Sequence, residues 1–456
     1  MITLFILLYL ALTLSIGVYA ARRVKSSGDF LLAGKRLPLY LDTATVFATW
    51  FGSESLLGAS SQMSEEGILG VIEDPFGAAL CLLLVGLFFA KPLYRMNLIT
   101  FGDFYRIKFN RSTEIIASIL LTVSYFGWVA AQMLALGIIL NVILGTGIPT
   151  GIIIGSCIVI VYTFLGGMWS VALTDLLQSI VIISGLIFVT LEITGKTAIS
   201  NILEQTPSSF FEFVPHGKGT TTWLNYFASW ITIGLGSIAG QDVFQRVMSA
   251  KSEKVAMRSS VLASLLYLTV VMMPMLLALY ARVLYPELLS RDSQLLIPNL
   301  VLQHSNSLVI ILFFGALISA IMSTASGATL APAAILSENL LKPLFKNLTD
   351  TKFLLLSRLC VIVVAALSMF FAFSNDSIFE LVGLSSQMTL VTIFVPLVAA
   401  LFFKSGNSSA AIVSMLAGLS AWLFALYIKT DINPLLYGFG ASISGFVFAG
   451  IVIRKN

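Results

Sequence analysis

Long apolar runs alternate with short polar breaks along the whole chain. A membrane-spanning helix needs about 20 predominantly apolar residues. Runs of that kind predict helices at 2–21, 38–64, 72–94, 114–144, 150–165, 174–194, 223–245, 256–282, 307–337, 354–374, 378–402, 408–428 and 434–453. The pattern therefore predicts thirteen spans, and no hydrophilic stretch is long enough for a separate soluble domain. The run from Met1 to Ala21 has no charged region ahead of it, so it reads as a retained span and not as a cleaved signal.

Two of these runs carry helix breakers at their centres. Trp50-Phe51-Gly52-Ser53-Glu54-Ser55, followed by Gly58, interrupts one; Gly234, Gly236 and Gly240 with Gln241 and Asp242 interrupt the other. An interior glycine costs a helix about 1 kcal/mol against alanine, and polar groups there are expensive in lipid. Five helices separate the starts of the two broken spans, and an odd repeat inverts its second copy. The expected organisation is one transmembrane domain, 1–456. It holds an extra helix and loop at 1–37, inverted five-helix repeats at 38–194 and 223–402, and two extra helices at 408–456. Paired broken helices point to a transporter's midplane binding site; the competing reading is flexible packing at glycine-rich contacts.

Composition narrows the class. The chain is 58% hydrophobic and 11% charged, with mean hydropathy +0.97, whereas soluble domains carry about 25% charged residues. The fold class is an all-α integral membrane protein in a lipid bilayer. A net charge of +4 reflects loop positioning and gives no hint of nucleic acid. With the amino terminus outside, 21 of the 26 Lys and Arg fall on the cytoplasmic side, leaving Lys196, Lys218, Arg282, Arg291 and Lys429 outside. That split predicts the amino terminus outside and the carboxyl terminus cytoplasmic, in the plasma (inner) membrane.

The segment Gly315–Gly327 concentrates small residues and hydroxyls. Ser319, Ser323 and Ser326 are four and three apart and share one helix face, with Thr324 at its edge. Hydroxyls and freed carbonyls suit a small hard cation; equally, small residues allow close helix packing and the hydroxyls can bond back to their own helix. Asp175 follows Thr174 at the expected start of the helix 174–194. Either residue would cap that helix, which the spacing alone favours, or Asp175 would face a cation path. Glu54, at a break, would cost at least ~2.5 kcal/mol facing lipid, so it must face a cavity or a partner. Gln132, Gln241 and Asp242 are similarly placed, and the run from Gln241 to Arg246 could also close a cytoplasmic gate.

Trp50 and Trp128 sit near mid-span, where indoles more often pack than bind; facing one cavity, they would hold a cationic ammonium group. Cys81, Cys157 and Cys360 lie in apolar helices without metal-ligand spacing and read as core packing. His216 and His304 are expected in loops with no catalytic partner, so an enzyme is not expected. Repeated polar rings that would suit a passive channel are missing.

These residues resemble the sodium:solute symporters with the leucine-transporter fold. The resemblance rests on Asp29 to Gly34 with Pro38, on Gly166-Gly167 with Thr174-Asp175 and Gln178, on Gln241 with Gln245-Arg246 and Lys251, and on Ala320-Ile321-Met322-Ser323-Thr324. It implies Na+ as the coupling ion, held by the hydroxyls of Ser323 and Thr324 and the backbone carbonyls of Ala48, Phe51 and Ala320. A second sodium site would use Asp175 with Ser323 and Ser326, but the next matching position is Gly327, which has no hydroxyl. Gly86 to Pro92 and Trp50-Phe51-Gly52 look most like the high-affinity choline transporter branch. Trp50 and Trp128 match two tryptophans of its choline cage; the third falls at Gly240, while Glu54, Ser55 and Asp242 depart from the branch. The implied solute site comprises Trp50, Gly52, Ser53, Glu54, Trp128, Gln132, Gly240 and Gln241. The implied function is sodium-coupled uptake of a small organic solute, choline-like or else an amino acid such as proline, a carboxylate or a sugar. The competing class is a membrane sensor of the same fold, which would need a signalling domain not expected beyond Arg454. Monomer and homodimer both fit.

Overall fold

The computed structural model describes residues 2–217, 219–290, 292–375, 377–403 and 407–452. Lys218, Arg291, Lys404, Arg454 and Lys455, which enter the charge count, lie outside the described residues, as do Met1 and Ile453 at the edges of predicted spans. Among the described residues every element is helical, and only an isolated bridge joins Leu37 to Ala250. Helix is present at each predicted span. Among the described residues nine helical stretches, bends included, are long and apolar enough to cross a membrane. Two of them, Glu54–Arg95 and Ile148–Thr194, contain more than one predicted segment.

Ile148–Thr194 shows how the chain turns. A straight α-helix of its 47 residues would run about 70 Å, more than twice the roughly 30 Å bilayer core. It bends at Gly167, where φ is +49° and ψ is −139°. A β-carbon there would run into the carbonyl and ring of Phe30, so only glycine can make this bend. The helix does not restart at residue 174. Thr174 donates back to the Ser170 carbonyl at 2.9 Å, and Asp175 lies mid-helix. The capping reading of Thr174 and Asp175 is therefore corrected: the break sits seven or more residues earlier, at the residue that can take a positive φ.

Both marked interruptions are real. Leu39–Trp50 ends as Phe51 takes φ −91° and ψ 77°, and helix resumes at Glu54. Thr220–Gly236 runs into one tight turn, Ser237–Ala239, then an extended Gly240 (φ −69°, ψ 134°) before Gln241–Ser249. Gly236 lets the turn approach the backbone of the helix Ile378–Thr389, because a β-carbon would collide with the Ser386 carbonyl oxygen.

The helix Ser307–Ile335 forms the centre. In its stretch 78% of the most apolar window is buried, against 22% for Pro434–Val452, so the carboxyl-terminal helices are peripheral. They pack as a pair, with Ser414 donating to the Ser442 carbonyl at 2.8 Å. Outward faces carry residues such as Phe370, Phe424 and Phe448, which suits a lipid environment. Cys81 and Cys360 are buried as expected, but Cys157 is exposed. It lies on the outer face of its helix, so the core-packing reading is wrong for that residue. His304 is not in a loop; it ends the helix Leu296–His304.

Candidate functional site

Around the first break the backbone leaves its helix, and the polar groups freed there find partners across the core. Thr324 donates to the Ala48 carbonyl at 3.3 Å, joining the central helix to the last turn before the break. Ser323 donates to Asp175 at 2.6 Å, and Thr45 binds the other oxygen of that carboxylate. Ser326 instead bonds back to the Ser323 carbonyl at 2.9 Å, and Ser319 to the Gly315 carbonyl at 2.5 Å. One hydroxyl face thus serves two purposes. Ser323 and Thr324 reach across to neighbouring elements, Ser319 bonds to its own helix and also meets the Tyr9 hydroxyl, and Ser326 satisfies its own helix. Ala320, Ala48 and Phe51 are all buried at the same junction. Among the described residues no cluster of His, Cys, Asp or Glu could hold a transition metal.

Beside this junction lies a cavity of about 520 Å³, part of it open to solvent. Trp50, Glu54, Asp74, Tyr125, Trp128, Gly240, Asp242 and Tyr267 line it, with the hydroxyls of Ser124, Ser237, Ser385, Ser386 and Thr389. No Lys, Arg or His is among its lining residues. Each of its three carboxylates is held by donors. Trp50 donates its indole N–H to Asp242 at 2.9 Å, and the Tyr125 hydroxyl binds the second oxygen. Trp128 and Gln132 donate to the two oxygens of Glu54, at 3.1 and 2.7 Å. Tyr267 binds Asp74 and also meets the Ser55 hydroxyl at 2.6 Å. Because both indoles spend their N–H on carboxylates, their orientation is fixed from the edge.

Of the sequence-predicted solute residues, Trp50, Glu54, Trp128 and Gly240 line the cavity. Gln132 stands behind Glu54, and its oxygen accepts the Ser53 N–H at 3.0 Å. Gly52 and Ser53 lie at the break without lining the cavity. Gln241 turns away and accepts the Phe101 N–H at 2.8 Å. Gln245 donates to the Leu31 carbonyl at 3.3 Å and Arg246 to Thr49 at 2.8 Å. Leu37 pairs with Ser249 and Lys251 through backbone bonds of 3.0 and 2.9 Å. The run from Gln241 therefore ties one end of the bundle to neighbouring elements.

Asp74, Tyr125 and Tyr267 were not singled out by the sequence. Asp74 carried a usable signal, since it is a carboxylate inside an apolar run, as Glu54 is. Tyr125 lies one turn before Trp128 on the same face, with ring centroids 5.9 Å apart. A β-carbon at Gly240 would come within 3.2 Å of its hydroxyl, so an aromatic from a neighbouring helix stands next to Gly240. Tyr267 had no such signal.

Comparison with known proteins gives the family and the fold. The high-affinity choline transporter 1 of Drosophila melanogaster is 29% identical over 437 residues, covering 91% of this chain and 70% of its own. The human high affinity choline transporter 1 is 28% identical, covering 91% and 75%. The sodium/proline symporter 2 of Staphylococcus saprophyticus is 25% identical, covering 97% and 89%. Among solved structures, a Na+-coupled sialic acid symporter in a substrate-bound outward-open state superposes with a TM-score of 0.86 at 20% identity, over 99% of this chain and 98% of its own. That similarity shows the leucine-transporter-type fold. The profile of the sodium:solute symporter family matches residues 30–418, and the chain belongs to that family.

Proposed function

We propose that this sodium:solute symporter takes up a small organic cation, of the choline-like quaternary amine class, by alternating access. The observation that carries the reading is the cavity itself: three carboxylates and four aromatic rings, with no basic side chain in its lining. A cationic group gains from both features, through charge and through the ring faces. A solute bearing a carboxylate, such as proline, would bring a fourth negative charge with no cation to meet it. Choline transporters among the relatives support the same class.

Sodium, the co-transported ion, would sit where Ser323 and Thr324 meet Ala48, Phe51 and Ala320; the donor set is all hard oxygen, which fits. A second ion at Asp175 and Ser326 has less support. The Ser326 hydroxyl is turned to its own helix, and the space left by Gly327 is taken by the Arg246 guanidinium, a tethered cation nearby. One sodium crossing ~100 mV releases ~2.3 kcal/mol, and a tenfold gradient adds ~1.4 kcal/mol. Together these hold a neutral solute at about 500-fold accumulation, and a cation higher still because it also feels the potential. The reading includes thirteen spans with inverted repeats at 38–194 and 223–402, the amino terminus outside, and residence in the plasma (inner) membrane.

A thermal-shift screen of the purified protein in sodium and in potassium, with choline, betaine, proline and simple sugars, tests this. A ligand that binds only the folded state raises stability by RT ln(1 + [L]/Kd). A sodium-specific shift enlarged by choline or another organic cation is the expected result. Enlargement by proline or a sugar alone would overturn the cation reading.

A further inference from the structure

Gly52 leaves a gap into which oxygens from three helices converge. A β-carbon at position 52 would lie 2.6 Å from Oε2 of Glu54, 2.6 Å from Oγ1 of Thr324 and 3.0 Å from Oε1 of Gln132. The Glu54 carboxylate and the Thr324 hydroxyl are therefore no farther apart than twice 2.6 Å. Oxygen ligands stand about 2.3–2.6 Å from an ion of the size of Ca2+, so a bare cation of similar size can touch both oxygens at once. All three side chains are buried. The Thr324 hydroxyl spends its proton on the Ala48 carbonyl and keeps lone pairs free for an ion.

We infer that Glu54 is a direct ligand of the transported sodium ion, reaching the Thr324 hydroxyl through the gap at Gly52 and making the ion site formally anionic. The inference rests on the sodium reading above and extends it. Glu54 also lines the solute cavity, where its Oε1 takes the Trp128 indole N–H. One carboxylate thus faces the ion with one oxygen and the solute cavity with the other. Gly52 is required in this scheme because any side chain would stand between the carboxylate and the hydroxyl. Sodium held against Glu54 would fix the start of the resumed helix, Glu54–Gly58, and with it the rim of the solute cavity.

The test is sodium-only stabilisation, read without any solute so that a role confined to solute binding does not register. Melting of the purified full chain is followed across sodium chloride concentrations at constant ionic strength balanced with potassium chloride. Glu54→Gln keeps the size but removes the charge and one of the two acceptor oxygens; it should raise the half-saturating sodium concentration at least tenfold. Gly52→Ala should do the same by filling the gap. Glu253→Gln, in an ion pair with Arg95 away from the cavity, should leave the sodium titration within twofold of the unchanged protein. If Glu54→Gln melts cooperatively in potassium and titrates with sodium like the unchanged protein, the inference is overturned while the symporter reading stands. If the unchanged protein shows no sodium-specific shift, the hydroxyl cage and the Glu54 ligand fall together. Should Glu54→Gln fail to fold, the same titration on Gly52→Ala decides, because an unaltered half-saturation there rules out an ion in the gap.

Discussion

The two helix interruptions have the same origin in sequence, glycines among polar residues inside an apolar run, yet they are put to different use. At the first, Phe51 to Glu54, side chains turn inward to a cavity and to the hydroxyls of the central helix, and oxygens from three helices crowd around Gly52. At the second, Gly236 to Gln241, the backbone presses against its neighbours, and polar side chains that follow are spent on hydrogen bonds to other helices. Gln241 holds the Phe101 N–H, and Arg246 holds Thr49. Ser237, Gly240 and Asp242 line the cavity, and Asp242 is the one carboxylate among them. A break therefore does not make a binding site by itself. What matters is whether the freed groups are satisfied by neighbouring protein or left facing space.

Removing the one cavity carboxylate of the second break should have the largest effect. Asp242→Asn keeps the bonds to Trp50 and Tyr125 nearly in shape while deleting a charge; hydrogen bonds to charged groups contribute roughly 1.5–3 kcal/mol. Organic-cation affinity should fall by about 10- to 100-fold in a sodium-saturated binding assay. Unchanged affinity would show that the second break contributes nothing to solute recognition. Next comes Gly236→Ala, which drives a β-carbon into the Ser386 carbonyl. Overpacking of this kind costs about 1–3 kcal/mol, and the melting temperature should drop by a few degrees with or without ligand.

A smaller effect is expected from Gln241→Leu, which strips the Phe101 N–H of its acceptor. Losing about 1 kcal/mol from the closed arrangement should raise the population opened at that end about fivefold. The readout is the labelling rate of a cysteine placed at Ser249, in the segment paired with Leu37. An unchanged rate would assign closure to the backbone pairing alone.

The smallest effect lies outside the spans, at His304. Its ring stacks on Tyr285 with centroids 3.6 Å apart. Burial, then the nearby Lys196 ammonium, holds the imidazole below its ordinary value of 6.5. The folded chain thus takes up the proton less readily than the unfolded one. The stabilising contribution is complete above pH 6.5 and is lost as the pH falls through the lower folded value. Hydrogen exchange across 285–304, corrected for intrinsic rates, should quicken between about pH 7.5 and 5. Neither break should respond to this change, which separates a surface contact from the transport core.

Much of this was legible beforehand. The spacing of Ser319, Ser323 and Ser326 put the hydroxyls on one face, and the glycines at 52 and 236–240 marked both interruptions. Glu54 announced a cavity because an ionised group cannot face lipid at low cost. Asp175 was misread because the boundary of its helix was set too late. Its neighbours Thr45 and Ser323 are 130 and 148 residues away in sequence, beyond the reach of any local pattern. Gln241 was assigned to the solute site, whereas its side chain serves a backbone amide on another helix.

Hydropathy and local propensity determined the all-helical membrane character, the positions of the helical segments and the places where helices break, because each depends on residues within a turn or two of one another. Only the tertiary structure decided which freed oxygens converge over Gly52, which carboxylates share the cavity with Trp50 and Trp128, and which polar residues are consumed by bonds to neighbouring helices. Those outcomes depend on how distant helices are brought side by side, and at that range a side chain's role is set by whichever neighbour first satisfies its hydrogen bonds.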